Sequence, residues 1–360
     1  MENHHPVVWI FCRVIDNFGD AGIAWRLSQI LATEFDCAVT LYIDHLPTLS
    51  AIVPDIQASS KEQNVHQVRV KDWDLSIEEN SIPQAVIEMF ACEIPHHIRT
   101  IIQKHQPLWL NWEYLSAEDW VEDCHMMPSL QNNGVVKYFY FMGFTHKTGG
   151  LLREKHLSFH LPTLFRQPEK MRLFCFAYDN PIWQHHLQTW NDLSWNIEIF
   201  IAGETLYNAF QRFTSFQAAF QQGKIHLQAF VPQADFDDLL QSFDVLIVRG
   251  EDSFMRAQYS GKPFFWHIYP QEEQAHLPKL NAFWNRVYHH FPENLKIAHQ
   301  ALSDELNGAI CLTDEVRQNH WHTLWTQYPA WHQAHLNWRK KLFELPSAVE
   351  KLVFMMTKNS

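Results

Sequence analysis

The chain has 360 residues, 46% of them hydrophobic, with 26 Phe and 15 Trp, enough for two domains that each bury a core. Its formal net charge of -12 argues against a general nucleic-acid binder, because affinity for phosphates comes from basic residues. No run approaches the roughly 20 apolar residues of a membrane span, and the first residues lack the basic start of a signal peptide. Six scattered cysteines with no C-x-x-C pair read as buried thiols of a reducing compartment. A cytoplasmic protein is the expectation.

In chain order, residues 7–12 read as a buried strand, followed by a loop and a helix over 23–35 with Ile23, Leu27, Ile30 and Leu31 on one face. Residues 37–43 predict a second strand. Further strand-like runs occupy 67–70, 85–90, 108–112 and 137–142, with a helix over 94–104. From 143 to 168 the pattern lapses into glycines, polar residues and prolines, which reads as an interdomain connection. A second series follows: strands at 171–178, 197–202, 224–228, 244–248 and 263–270, helices at 181–191 and 234–242, and a long last helix over 331–354. Strands alternating with helices predict an α/β protein with mostly parallel sheets. Two such halves suggest the GT-B architecture of nucleotide-sugar enzymes, two Rossmann-like domains facing a cleft. Their bounds are 1–168 and 169–340, with a last helix at about 341–360 returning to the first.

The stretch after Val248 carries the strongest local signal. Arg249 and Gly250 make a turn, and Glu251, Asp252 and Ser253 begin a helix that runs to Tyr259 and closes at Gly261. A fresh helix N-terminus at the end of a buried strand is a place for an anion, or simply an ordinary capped junction. The first strand–helix loop holds Asp16 and Asp20 around Gly19. Asp20 there either caps the helix or, with Asp16, receives a cation or a proton. Phe174 reads as core, whereas Phe176, Tyr178, Phe230 and Phe236 fall at strand ends or loops, where a nucleobase can stack. Gln233 offers an amide to a pyrimidine edge. Histidine pairs invite a metal reading, and His332 and His335 are better spaced, but neither Cys nor carboxylate completes a set, so no metal site is expected.

Taken together and in order, the 16–20 loop, Phe176-Ala177-Tyr178, the 230–236 loop, Arg249-Gly250-Glu251-Asp252-Ser253 and His267-Ile268-Tyr269-Pro270-Gln271 closely resemble the EarP family. These are bacterial protein-arginine rhamnosyltransferases that modify translation elongation factor P. The resemblance spans nearly the whole chain. It implies an inverting enzyme that moves L-rhamnose from dTDP-β-L-rhamnose to an arginine guanidinium, with no metal or other cofactor. It further implies Asp20 as base, Asp16 as its acidic neighbour and Glu251 as a second essential carboxylate. Phe176, Tyr178, Phe230, Gln233 and Phe236 would surround the thymine nucleotide. Asp252, Ser253 and Tyr269 would hold the pyrophosphate, Asp252 only through its N–H. Asn17, Phe18, Gly19, Arg249, Glu251 and Gln271 complete the implied donor set. Rival readings are a GT-B enzyme with another acceptor and a non-catalytic nucleotide-sugar-binding protein. For the acceptor surface, residues 112–115 and the acidic Glu122 and Asp123 are candidates by position.

Overall fold

Runs rich in Val, Ile and aromatic residues form the strands of two separate sheets. The computed structural model describes residues 5–15, 18–75, 82–132, 134–157, 167–192 and 196–358. The chain divides into two compact units, Met1–Ser158 with Leu345–Ser360, and Phe159–Glu344.

The first unit holds β1 (Val7–Cys12), β2 (Ala38–Ile43), β3 (Glu62–Val65), β4 (Val68–Asp72), β5 (Ala85–Met89), β6 (Leu108–Glu113), β7 (Pro128–Leu130) and β8 (Val136–Phe141). Their order is β3-β4-β2-β1-β5-β6-β8-β7. The inner six are parallel, and the edges β3 and β7 are antiparallel to their neighbours. Trp9, Phe11, Tyr42, Val86, Ile98, Ile102 and Trp109 pack into one core, with the Phe11 and Tyr42 rings stacked at 4.6 Å. Neither edge strand was legible in the sequence. Polar Glu62–Val65 and the three residues Pro128–Leu130 have little strand propensity of their own. The β3–β4 turn uses His66 and Gln67 at φ 46° and 67°, without the glycine or asparagine that usually announces such a hairpin.

The first helix is Phe18–Phe35, starting five residues before the predicted boundary at 23, so Gly19 and Gly22 lie inside its opening turns and not in a loop. The predicted 331–354 helix is two helices, Tyr328–Phe343 and Ala348–Lys358. Pro346 interrupts the first, and a capping box starts the second: Ser347 N–H donates to Glu350 Oε2 at 2.6 Å, and Glu350 N–H donates to Ser347 Oγ at 3.2 Å. This last helix belongs to the first unit, where the buried Tyr140 hydroxyl donates to the carbonyl of Ala348 at 2.7 Å.

The second unit carries β9 (Met171–Cys175), β10 (Ile197–Ala202), β11 (Ile225–Gln228), β12 (Val245–Val248) and β13 (Phe264–Trp266), all parallel, in the order β11-β10-β9-β12-β13. Val245–Val248 is buried throughout, as a strand covered on both faces requires. Aromatic stacking fills the core beside it, with Phe254 on Trp266 at 3.9 Å and Phe265 on His299 at 4.2 Å. His332 and His335 are buried, and that burial holds His332 down at about 4 and His335 well below its usual range. Among the described residues no group of three or more His, Cys, Asp or Glu is placed to hold a metal ion. None of the described helices is long and apolar enough to cross a membrane.

Candidate active site

Among the parallel strands of each sheet the chain reverses direction of travel at one point, between β1 and β5 in the first and between β9 and β12 in the second. Open α/β sheets collect their ligands outside the carboxyl ends of such strands. The residues singled out in the sequence fall mostly at these two places.

In the first unit, Asp20 sits in the first turn of the helix Phe18–Phe35 and is only 2% exposed. It is not the residue preceding the helix, so the N-cap reading fails on position. Its carboxylate instead turns back on the loop. Oδ2 accepts the Ile15 N–H at 2.9 Å, and Oδ1 accepts the Tyr114 hydroxyl at 3.3 Å. The helix N-terminus favours the negative charge there. Phe18 is exposed and Gly19 half-buried, while Asp16 and Asn17 lie outside the described residues.

In the second unit, Gly250 stands at the N-cap of the helix Glu251–Ser260 with φ 67°, a left-handed conformation that suits glycine. As a glycine it offers no side-chain cap, and Glu251, Asp252 and Ser253 are half-buried in the first turn of the helix. At the other end Gly261, at φ 73°, lets the chain pass Leu336, whose Cδ2 a Cβ would meet at 2.7 Å. The Asp252 carboxylate is turned aside: its Oδ2 accepts from Gln233 Nε2 at 3.0 Å and from Arg256 Nε at 3.2 Å, while Arg256 also pairs with Asp237 at 2.6 Å. Gln233 thus commits an amide proton to Asp252, a contact its sequence reading did not anticipate.

Arg249 makes no ion pair with a described carboxylate. Its guanidinium lies over two rings, 4.8 Å from the centre of Phe176 and 4.6 Å from that of Tyr178. Tyr269, 61% exposed, meets Tyr178 edge-on at 5.3 Å. Beneath them His267 is buried, and its Nδ1 accepts the Tyr178 N–H at 3.0 Å. Burial, reinforced by Arg249, lowers His267 to about 3, so the imidazole is neutral and joins the ends of β9 and β13 as a fixed acceptor. The sequence reading gave His267 no role of its own. Phe230 is 58% exposed, Gln271 is exposed, and half-buried Phe236 contacts Phe174 edge-on at 6.2 Å. The second unit therefore brings together Phe176, Tyr178, Arg249 and Tyr269, and separately Gln233 and Asp252.

Two units, each built on a mostly parallel sheet with candidate residues at its switch point, have the architecture of GT-B glycosyltransferases. Spinosyn rhamnosyltransferase SpnG shares the fold at a TM-score of 0.55 and 9% identity, covering 97% of this chain and 99% of its own. The structure describing EarP-mediated arginine glycosylation of translation elongation factor EF-P matches at a TM-score of 0.61 and 22% identity, covering 98% and 99%. A protein-arginine rhamnosyltransferase of Neisseria meningitidis is 40% identical across 98% of this chain and 97% of its own. Another, from Pseudomonas aeruginosa, is 35% identical across 96% and 97%. Residues 8–357 match the family described as Elongation-Factor P (EF-P) rhamnosyltransferase EarP, and the chain belongs to that family. It is an enzyme, a protein-arginine rhamnosyltransferase.

Proposed function

We propose that this enzyme transfers L-rhamnose from dTDP-β-L-rhamnose to one arginine of translation elongation factor P, in the cytoplasm, with inversion at the anomeric carbon and without metal or other cofactor. The observation that carries the reading is the junction after β12. There a helix N-terminus with glycine at its N-cap follows an arginine held by two aromatic rings, at the switch point of a parallel sheet. Backbone N–H groups and a guanidinium both favour the charge that collects on a departing pyrophosphate. That supports metal independence.

A guanidinium is a weak nucleophile while its charge is delocalised over the whole group. Asp20 takes a proton from the attacking nitrogen as the nitrogen–carbon bond forms, and the bond from the anomeric carbon to the phosphate oxygen breaks with its electron pair leaving on dTDP. Asp16 adds negative potential to the base. Glu251 orients sugar or arginine. Ser253, the Asp252 N–H and Tyr269 hold the pyrophosphate, and Asn17, Phe18, Gly19 and Gln271 complete the donor's surroundings. Phe176, Tyr178, Phe230 and Phe236 flank the thymine nucleotide, with Gln233 offering its remaining amide valences.

Incubating purified elongation factor P with dTDP-rhamnose and the enzyme should add one deoxyhexose by intact-protein mass spectrometry, and excess EDTA should leave the rate unchanged. Donor binding without any mass shift sinks the transferase reading. Transfer to another protein but not to elongation factor P sinks the acceptor. Activity lost in EDTA and restored by Mg²⁺ or Mn²⁺ sinks metal independence.

Phe236 supplies a narrower check. Phe236→Ala should weaken dTDP binding by roughly 1–3 kcal/mol, the range for an aromatic–base stack. An unchanged calorimetric Kd together with a lower melting temperature would confine Phe236 to its packing against Phe174.

A further inference from the structure

We infer that the sheet edge around Trp120, in the first unit, is the docking surface for the acceptor protein, taking an apolar contact ringed by basic residues; this rests on the function proposed above. Register and strand alternation put Lys137, Phe139 and Phe141 on the face of the sheet that carries Trp9 and Trp109. Over Trp9 and Trp109 the helix His96–His105 closes that face with Ile98 and Ile102. At β8 the face is more open. Phe139 and Phe141 are half-buried with ring centres 6.4 Å apart, and Trp120, 48% exposed, meets Phe141 edge-on at 5.3 Å. On the opposite face Trp112 is buried and stacks on Tyr140 at 4.6 Å, so of the residues suggested by position Trp112 belongs to the core.

The backbone at this edge is built to present a side chain. Met126 N–H donates to the Phe139 carbonyl at 2.7 Å, and Phe139 N–H donates to the Met127 carbonyl at 3.2 Å. Two residues of the edge segment therefore face one of β8, a β-bulge. Met126 takes φ 61°, the left-handed position that glycine usually fills in such a bulge. The bulge brings Met127, 47% exposed, alongside Phe139. Aromatic and methionine side chains together are what the buried centre of a protein interface is enriched in, and methionine adapts its shape to a partner.

Charge decides which partner fits. Between His105 and Lys137 the sequence holds five carboxylates, Glu113, Glu118, Asp119, Glu122 and Asp123, and neither Lys nor Arg. Glu113 is in register with Phe141 on the same face, and Asp119 and Asp123 are exposed on either side of Trp120 in the chain. Lys147 pairs with Glu122 at 3.1 Å, which leaves the rim acidic. A negative rim selects a positive partner, and the target of the reaction, an arginine side chain, is a cation. A second copy of this chain, with its own net charge of -12, suits the rim poorly. The surface also adjoins the proposed base within one unit. The loop from Tyr114, whose hydroxyl reaches Asp20, crosses to the end of β8, where Ser116 N–H donates to the Met142 carbonyl at 3.4 Å.

The test uses the full chain as wild type, Trp120→Ala and Asp123→Lys, with elongation factor P as acceptor and dTDP-rhamnose as donor. Single-turnover kinetics gives the acceptor concentration of half-saturation and the rate at saturation, and stopped-flow mixing gives the association rate. Trp120→Ala should raise half-saturation by roughly 10- to 30-fold, the effect of truncating an interface anchor. Its rate at saturation, dTDP affinity and melting temperature should stay at wild-type values. Asp123→Lys should slow association at low ionic strength, with the difference shrinking as salt is added. A Trp120→Ala enzyme with wild-type half-saturation overturns the inference. So does a fall in its saturated rate with half-saturation unmoved, and so does a wild-type dimer that Trp120→Ala splits without moving half-saturation. Should Trp120→Ala not fold, Asp123→Lys decides: slower, salt-sensitive association supports the surface, and wild-type association overturns it. Failure of wild type to modify elongation factor P overturns the function itself, a result distinguishable from an active wild type with silent variants.

Discussion

Replacing Asp20 by Asn should cut single-turnover transfer by roughly 100-fold or more, while dTDP affinity and melting temperature stay near wild type. The surroundings of Asp20 make this substitution informative. Its carboxylate accepts hydrogen bonds from the Ile15 N–H and the Tyr114 hydroxyl. An asparagine oxygen can still accept the first, and its NH₂ can donate to the phenolic oxygen, because a hydroxyl reverses its role by rotating. The loop is then held much as before, but no basic oxygen remains to take a proton. Wild-type rates at saturating donor and acceptor would remove Asp20 from the chemistry and turn attention to Asp16. Glu251→Gln should also slow transfer, though less decisively, since an orienting carboxylate leaves the proton transfer itself intact.

Arg317→Met should destabilise the protein by about 3–5 kcal/mol, the usual cost of stranding one member of a buried ion pair. In the second unit Arg317 grips Glu305 with two nitrogens, each at 2.7 Å, and both side chains are almost wholly buried. His186, buried as well, lies 3.3 Å from Glu305 and accepts the Trp321 indole N–H at 3.2 Å. Burial alone would raise the Glu305 carboxyl, but the nearby His186 ring and the hydrogen-bonded Arg317 guanidinium outweigh it and bring the group down to about 2. A carboxyl lowered in the folded state stabilises the fold fully above its unfolded value near 4.3 and loses that contribution as pH falls through about 2. Urea unfolding at neutral pH measures the mutation. The double change Arg317→Met with Glu305→Leu should recover much of the loss, because no buried charge is then left alone. A single variant as stable as wild type would show that the network contributes little.

How much of this was legible in sequence depended on how local each cause was. Val245–Val248 could be read because a strand buried on both faces has to be apolar throughout, and the helix after it because Gly250 and Gly261 mark its ends. The start at Phe18 was obscured by two glycines that resemble a loop, and the break before Ala348 by a Ser347–Glu350 capping box hidden inside an otherwise helical pattern. Edge strands β3 and β7 take their conformation from a neighbour, so their own residues announce little. In the site, motif order singled out candidate residues but not how they touch. That Arg249 lies on Phe176 and Tyr178 follows from β9 and β12 being adjacent in the sheet. The contact of Tyr114 with Asp20 likewise arises from strand order, which no short window of sequence contains.

The placement of the last helix has a consequence for how the chain is made. Residues 345–360 belong to the unit that begins at the N-terminus, and the whole of 159–344 is synthesised between the two parts. The Tyr140 hydroxyl, which donates to Ala348, and Gly150, where a Cβ would lie 2.6 Å from the carbonyl oxygen of Pro346, must therefore wait for a segment made after the whole of the second unit. The second unit has all its strands in one continuous stretch and can complete its sheet earlier. Order of synthesis and order of completion are thus inverted: the half begun first is the half finished last.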